Sequence, residues 1–208
     1  MVLAVKPQTL PQIAADFRRN LELDEEPRVV ISILAGTPTQ KLAGLLGGNM
    51  RLVRAMPNMP AQIRQGVTAL CLGPDTTWEK GAVAEALFRG VGQLVLRIDE
   101  NLMDAFTALA GSGPAYVFFL AQAMVEAGVQ LGFDRDVAQR IVQETVAGSG
   151  ALLAESSKAP SELLAGVQSK GGTTEAAMNV LKDHRVLDAF VAALTAARDR
   201  GRQLSNPA

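Results

Sequence analysis

The stretch Ser169-Lys170-Gly171-Gly172-Thr173-Thr174-Glu175 gathers hydroxyls, paired glycines and a cation between two helical patterns. Adjacent glycines let backbone N–H groups turn inward. The helix that continues through Ala176, Ala177, Val180 and Leu181 adds positive potential at its N-terminus. Such a loop suits a small anion, a carboxylate or a phosphate. The plainer alternative is an inter-helix turn with Thr173 or Thr174 as its N-cap. Two other stretches, Ala4-Val5-Lys6-Pro7-Gln8 and Arg54-Ala55-Met56-Pro57-Asn58-Met59-Pro60, close strand-like runs. The C-terminal ends of strands are where α/β proteins place ligands, although a strand-stopping proline beside a surface lysine is otherwise the commoner arrangement. Ala110-Gly111-Ser112-Gly113-Pro114-Ala115-Tyr116 enters a helix, with Ser112 as cap and Pro114 near the first helical position; glycine-enabled packing explains it as well as a ligand does.

Other familiar chemistry is missing. Three GxG triplets occur, at Gly90/Gly92, Gly111/Gly113 and Gly148/Gly150, but the third glycine of GxGxxG falls on Val95, Tyr116 or Leu153. No GxxxxGK[ST] loop is present. One cysteine, Cys71, in a strand-like run, and one histidine, His184, build neither a thiolate nor a paired-histidine metal site, so no metal is expected.

These residues need elements to hold them. Apolar β-type runs lie at Val2–Val5, Arg28–Leu34, Arg51–Ala55, Val67–Leu72 and Gln93–Ile98. Helical patterns separate them at Thr9–Asn20, Pro38–Leu46 and Asp75–Arg89, each opened by a capping residue or proline. Continuous apolar strands between helices predict an α/β sheet covered on both faces. After Ile98 the strands stop. Ala115–Leu131 is apolar except for Gln122, Glu126 and Gln130, one wet stripe on an otherwise buried helix; a membrane span is the competing reading, opposed by its short length and Glu126. Asp134 caps a further helix, in which Gly148 and Gly150 permit tight helix contact. A short helix begins at Ser161, and the last carries the stripe Val186, Phe190, Val191 and Leu194. The second half is therefore all-helical, with apolar faces large enough for an oligomer interface.

The whole chain has 208 residues, enough for one large domain or two modest ones, and a net charge of -1 that lacks the footprint of a nucleic-acid binder. Hydrophobic residues at 48% and charged residues at 20% rule out wholesale disorder. No signal peptide or presequence is recognisable, and a cytoplasmic, soluble protein is expected.

LAVKPQ, RAMPNMP, AGSGPAY and SKGGTTEAAMNVL occur in this order across the chain, and together they resemble pyrroline-5-carboxylate reductase. The resemblance implies a Rossmann domain for NADPH or NADH over residues 1–98 and a helical substrate-binding and dimerisation domain over 99–208. It implies a cyclic imino acid as substrate and a homodimer or higher homo-oligomer built through the helical domain. Ser169, Gly171, Gly172, Thr173 and Thr174 match the loop that holds the substrate carboxylate, the N–H groups of Gly171, Gly172 and Thr173 facing it. Thr174 would direct its hydroxyl to the ring nitrogen and is the catalytic candidate. Lys6 and Pro7 match the loop along the nicotinamide ribose, and Met56, Pro57 and Asn58 the next strand-end loop on the cofactor side. Ser112, Gly113 and Pro114 match the hinge at the domain junction. Lys170 replaces the usual proline, and Met59 a usual threonine.

In the family a strand, a GxGxxG-type loop and further β-α units precede the AVKPQ match. The expectation is thus a partial Rossmann-like domain lacking its first β-α units, with an unpaired apolar sheet edge where a neighbouring strand would lie. The chemistry implied is reduction of the imine to proline, the last step of proline synthesis, with the protein supplying position rather than a reactive side chain. Hydroxyacid dehydrogenases of similar design carry a GxGxxxK lysine, and Val117 occupies that position here. The alternative is a non-catalytic dimerising remnant that has lost cofactor binding.

Overall fold

The computed structural model describes residues 1–22, 26–47 and 49–205. Contacts divide the chain into two compact units, Met1–Pro114 with the chain from Leu194 on, and Ala115–Ala193.

The first unit is built on a five-stranded sheet whose spatial order follows the sequence: β1 (Val2–Leu3), β2 (Arg28–Ser32), β3 (Met50–Met56), β4 (Gly66–Leu72) and β5 (Gly92–Arg97). All neighbours are parallel except β3 and β4, which run antiparallel. β1 is shorter than the expected Val2–Val5 because its partner ends at Ser32, whose hydroxyl accepts from the Leu34 N–H and turns the chain away. It sits at the sheet edge, with Leu3 buried and Val2 exposed.

Alternation along the strands sorts the core into layers. Leu3, Val30 and Leu52 pack with Leu10 of α1 (Leu10–Glu22) and Leu42 and Leu46 of α2 (Thr39–Leu46). On the opposite face Ile31, Val53, Ala55 and Leu70 pack with Ala84 and Phe88 of α3 (Trp78–Arg89). Ala69 and Cys71 of β4 meet Met103 and Phe106 of α4 (Met103–Phe106). The expected cover on both faces fails at β5, where Leu94 and Leu96 are 46% and 38% exposed while Val95 joins the α3 layer.

Residues 100–111, for which the sequence pattern gives no element, are helical: a 3-10 turn at Glu100–Leu102, then α4, then a π turn at Thr107–Gly111 closed by the Ser112 N–H donating to the Thr107 carbonyl at 2.8 Å. Then follow α5 (Gly113–Gln130), α6 (Arg135–Glu155), α7 (Pro160–Val167), α8 (Thr173–Asp183) and α9 (Val186–Ser205).

Within the single chain α5 of the unit Ala115–Ala193 is not the buried helix expected: Phe118, Phe119 and Leu120 are 58%, 70% and 51% exposed, uncovered by any described residue. Its small internal core rests on Ala138 and Val142, on α5 approaching α6 where Gly128 faces Ala138, and on an edge-to-face pair of Tyr116 and Phe190. Arg135 forks onto Glu126 at 2.7 and 2.9 Å and holds that carboxyl below the usual range. Gly148 and Gly150, expected to seat a neighbouring helix, face open space among the described residues. Asp134 stands at the N-cap of α6 without a side-chain bond to it.

Candidate active site

Because β1, β2 and β3 are parallel, the loops after them open at one end of the sheet. Lys6 is exposed there, its carbonyl accepting from Thr9 N–H at 2.9 Å and Thr9 Oγ1 at 2.7 Å, so that Pro7 opens a 3-10 turn into α1. Between the loops after β1 and β2 lies a cleft of ≈ 460 Å³, with Leu10 and Leu45 on its apolar side and Gln8, Thr37 and Lys41 on its polar side. Sequence reasoning singled out the stretch Ala4–Gln8, with Lys6 and Pro7 as its candidates, but not Thr37 or Lys41. The available signal was Ala35-Gly36 ending a strand, where Gly36 adopts φ +63°.

An ion pair on a buried arginine supports these loops. Arg54 on β3 is 3% exposed and donates Nη1 to Glu100 Oε1 at 3.0 Å. The same carboxylate accepts from Thr39 N at 2.7 Å and Thr39 Oγ1 at 2.6 Å, so Glu100 caps α2 directly after the β2 loop. Asp104 stands 4.0 Å from Arg54 Nη2. Beside this group, burial pushes the Cys71 thiol up from 9.0 to about 12, with Glu100 adding to the shift and Arg54 opposing it.

Met56 ends β3 and packs against the Cys71, Met103 and Phe106 cluster. After Pro57, Asn58 is committed inside its own unit: Nδ2 donates to the Ala110 carbonyl at 3.2 Å and Oδ1 accepts from Val67 N at 2.9 Å. It leads the 3-10 turn Met59–Ile63 without capping it.

The Ser169–Glu175 loop lies in the other unit. Gly171 has φ +72°, a conformation that a β-carbon disfavours, and a β-carbon on Gly172 would run into Ser169 Oγ. The spacing therefore demands both glycines, but their N–H groups do not face a ligand as expected. Gly172 N–H closes a turn onto Ser169 O at 3.0 Å, and Gly171 N–H donates to Glu175 Oε2 at 2.6 Å. Gly172, rather than either threonine, is the N-cap of α8. Thr173 and Thr174 are its first two residues, where backbone N–H groups have no partner within a helix. Thr174 is half-buried, and Ser169, Lys170 and Thr173 are exposed. The residues expected at the site thus fall in both units, Lys6, Pro7, Met56, Pro57 and Asn58 in one and Ser169 and Gly171 to Thr174 in the other.

Comparison with known proteins identifies the parts. Residues 100–204 match the family model described as pyrroline-5-carboxylate reductase dimerisation. A pyrroline-5-carboxylate reductase of Synechocystis is 37% identical over 204 residues, covering 98% of this chain and 74% of the relative. The chain belongs to the pyrroline-5-carboxylate reductase family. A solved pyrroline-5-carboxylate reductase from Coxiella burnetii superposes with a TM-score of 0.88 at 36% identity, covering 99% of this chain and 75% of that one. The Plasmodium falciparum enzyme, solved with NADP bound, also gives 0.88, at 26% identity, with 99% and 76% covered. The α/β unit is thus the Rossmann-like part of a pyrroline-5-carboxylate reductase, and the exposed faces of α5 to α9 lie in a region whose family role is dimerisation.

Proposed function

We propose that the protein reduces 1-pyrroline-5-carboxylate to L-proline, the last step of proline synthesis, as a cytoplasmic homodimer or higher homo-oligomer using NADPH or NADH. In this reading residues 1–98 are a partial dinucleotide-binding domain and residues 99–208 bind substrate and dimerise. The observation that carries it is the Ser169–Glu175 loop at the start of α8, in a chain of this family.

The residues fit the cofactor where they are described. The cleft between the β1 and β2 loops has an apolar wall and hydrogen-bonding groups of a kind that suits a nicotinamide and its ribose. Lys6 and Pro7 stand on the loop after β1, and Met56, Pro57 and Asn58 at the end of β3 and on the loop after it, as the cofactor-side residues of this reading. When bound, that cofactor supplies the hydride. The chain's own residues bind and orient. First-turn N–H groups of α8 at Thr173 and Thr174 hold the substrate carboxylate, Ser169 flanks it, and the Thr174 hydroxyl faces the ring nitrogen. A protonated imine already carries the positive charge that a carbonyl would need from an acid, so no lysine is required at Val117. The run 100–130 is long and apolar enough to cross a membrane by length and composition; its exposed part on α5, Val117 to Leu120, serves as subunit contact in this reading.

The test is to mix the 208-residue chain with 1-pyrroline-5-carboxylate and either cofactor, and to follow cofactor oxidation together with proline formation. Turnover with proline as product supports the proposal. A folded chain that binds neither cofactor at micromolar concentration and forms no proline would be the dimerising remnant instead.

A further inference from the structure

The two motifs that the resemblance assigns to separate roles, RAMPNMP and AGSGPAY, touch. Asn58 Nδ2 donates to the Ala110 carbonyl at 3.2 Å, and Met56 Cε lies 2.9 Å from where a β-carbon on Gly111 would stand, so any larger residue there displaces it. The carbonyl is special for a reason written in the sequence. In an α-helix Ala110 would receive the N–H of residue 114, and residue 114 is proline, which has none. The chain has already widened into a π turn at Thr107–Gly111, a geometry frequent at functional sites. The amide of Asn58 cannot turn over: Val67 N–H fixes Oδ1 as the acceptor at 2.9 Å, which leaves Nδ2 for Ala110.

We propose that Asn58 is a positioning residue, clasping the cofactor-side loop after β3 to the π turn that leads into Pro114, where the chain leaves the α/β unit. Its role in turnover rests on the proposed reductase activity; the clasp itself does not. Through it, the loop after β3 and the π turn hold one register within the α/β unit.

Asn58→Asp tests this, because it keeps an acceptor for Val67 N–H and removes the donor to Ala110. Pro114→Ala, added to it, returns an N–H to position 114. Hydrogen exchange of the full chain, read by mass spectrometry over residues 107–114, is expected to quicken about five- to tenfold in a folded Asn58→Asp protein and to slow again in the double variant. The kcat for the imino acid is expected to fall about tenfold and to be regained in the double variant. Should Asn58→Asp fail to fold, Asn58→Ser, which is too short to reach Ala110, replaces it. Unchanged exchange over 107–114 overturns the clasp, and quickened exchange with unchanged kcat overturns the positioning role. If the wild-type chain itself makes no proline, the proposed reaction fails and the exchange experiment still decides the clasp.

Discussion

At the scale of single residues, the carboxylate loop shows how a chain can hold a binding motif and partly occupy it. The Gly171 N–H that the motif would offer is taken by Glu175, whose negative charge stands where a substrate carboxylate would be drawn. Removing that charge while keeping the side chain's shape, as in Glu175→Gln, is expected to lower KM for the imino acid about three- to fivefold, consistent with the loss of about 1 kcal/mol of repulsion near water; initial-rate measurements check it. Thr174→Ala is expected to lower kcat about ten- to hundredfold, the range for losing a hydrogen bond to a charged group, with cofactor affinity unchanged by fluorescence titration. The need for glycines at 171 and 172 was legible in the sequence. Which N–H groups remain available was not, because that depends on a turn closed by Ser169 and on the rotamer of Glu175, neither of which leaves a trace in residue spacing.

At the scale of elements, the five strand runs and the helices between them were legible to within a few residues, because apolar continuity marks buried strands. Direction was not. Yet the nine residues 57–65 between β3 and β4 are too few for the crossover that a parallel pair requires, so the antiparallel turn did have a signal. The helical stretch 100–111 escaped because its π turn breaks the 3.6-residue period and the following Gly-Ser-Gly-Pro reads as loop. Its first acidic residue joins three elements, β3, α2 and the helical stretch itself. Glu100→Ala leaves the Arg54 guanidinium buried without its near carboxylate and the start of α2 uncapped. The expected loss is about 3 kcal/mol in urea unfolding at pH 7, whereas Arg54→Met, an apolar side chain of similar volume, is expected to cost less.

At the scale of the whole molecule, the order of apolar runs separates two halves of different architecture, and the structure adds that the second exposes much of its apolar surface. Phe119, 70% exposed on α5, is the clearest instance. Covering it with a second copy is the economical explanation in a family whose matched region is named for dimerisation. Phe119→Asp is expected to lower the mass seen by light scattering, since a carboxylate in an apolar contact cannot be desolvated cheaply; an unchanged mass would place the contact elsewhere.

Cys71, the chain's single cysteine, lies 1% exposed on the β4 face that α4 covers. A thiol that ionises only near 12 is both shielded and chemically mute at pH 8, so a thiol-capturing reagent must wait for the sheet to open. The protein therefore carries a built-in clock. The rate at which one equivalent of reagent is consumed counts openings of the layer between β4 and α4 and ignores fraying elsewhere. The same thiol sets an alkaline limit. Between pH 9 and about 12 an unfolded chain loses this proton while the native one keeps it, so stability falls as pH rises through that window and the clock runs faster.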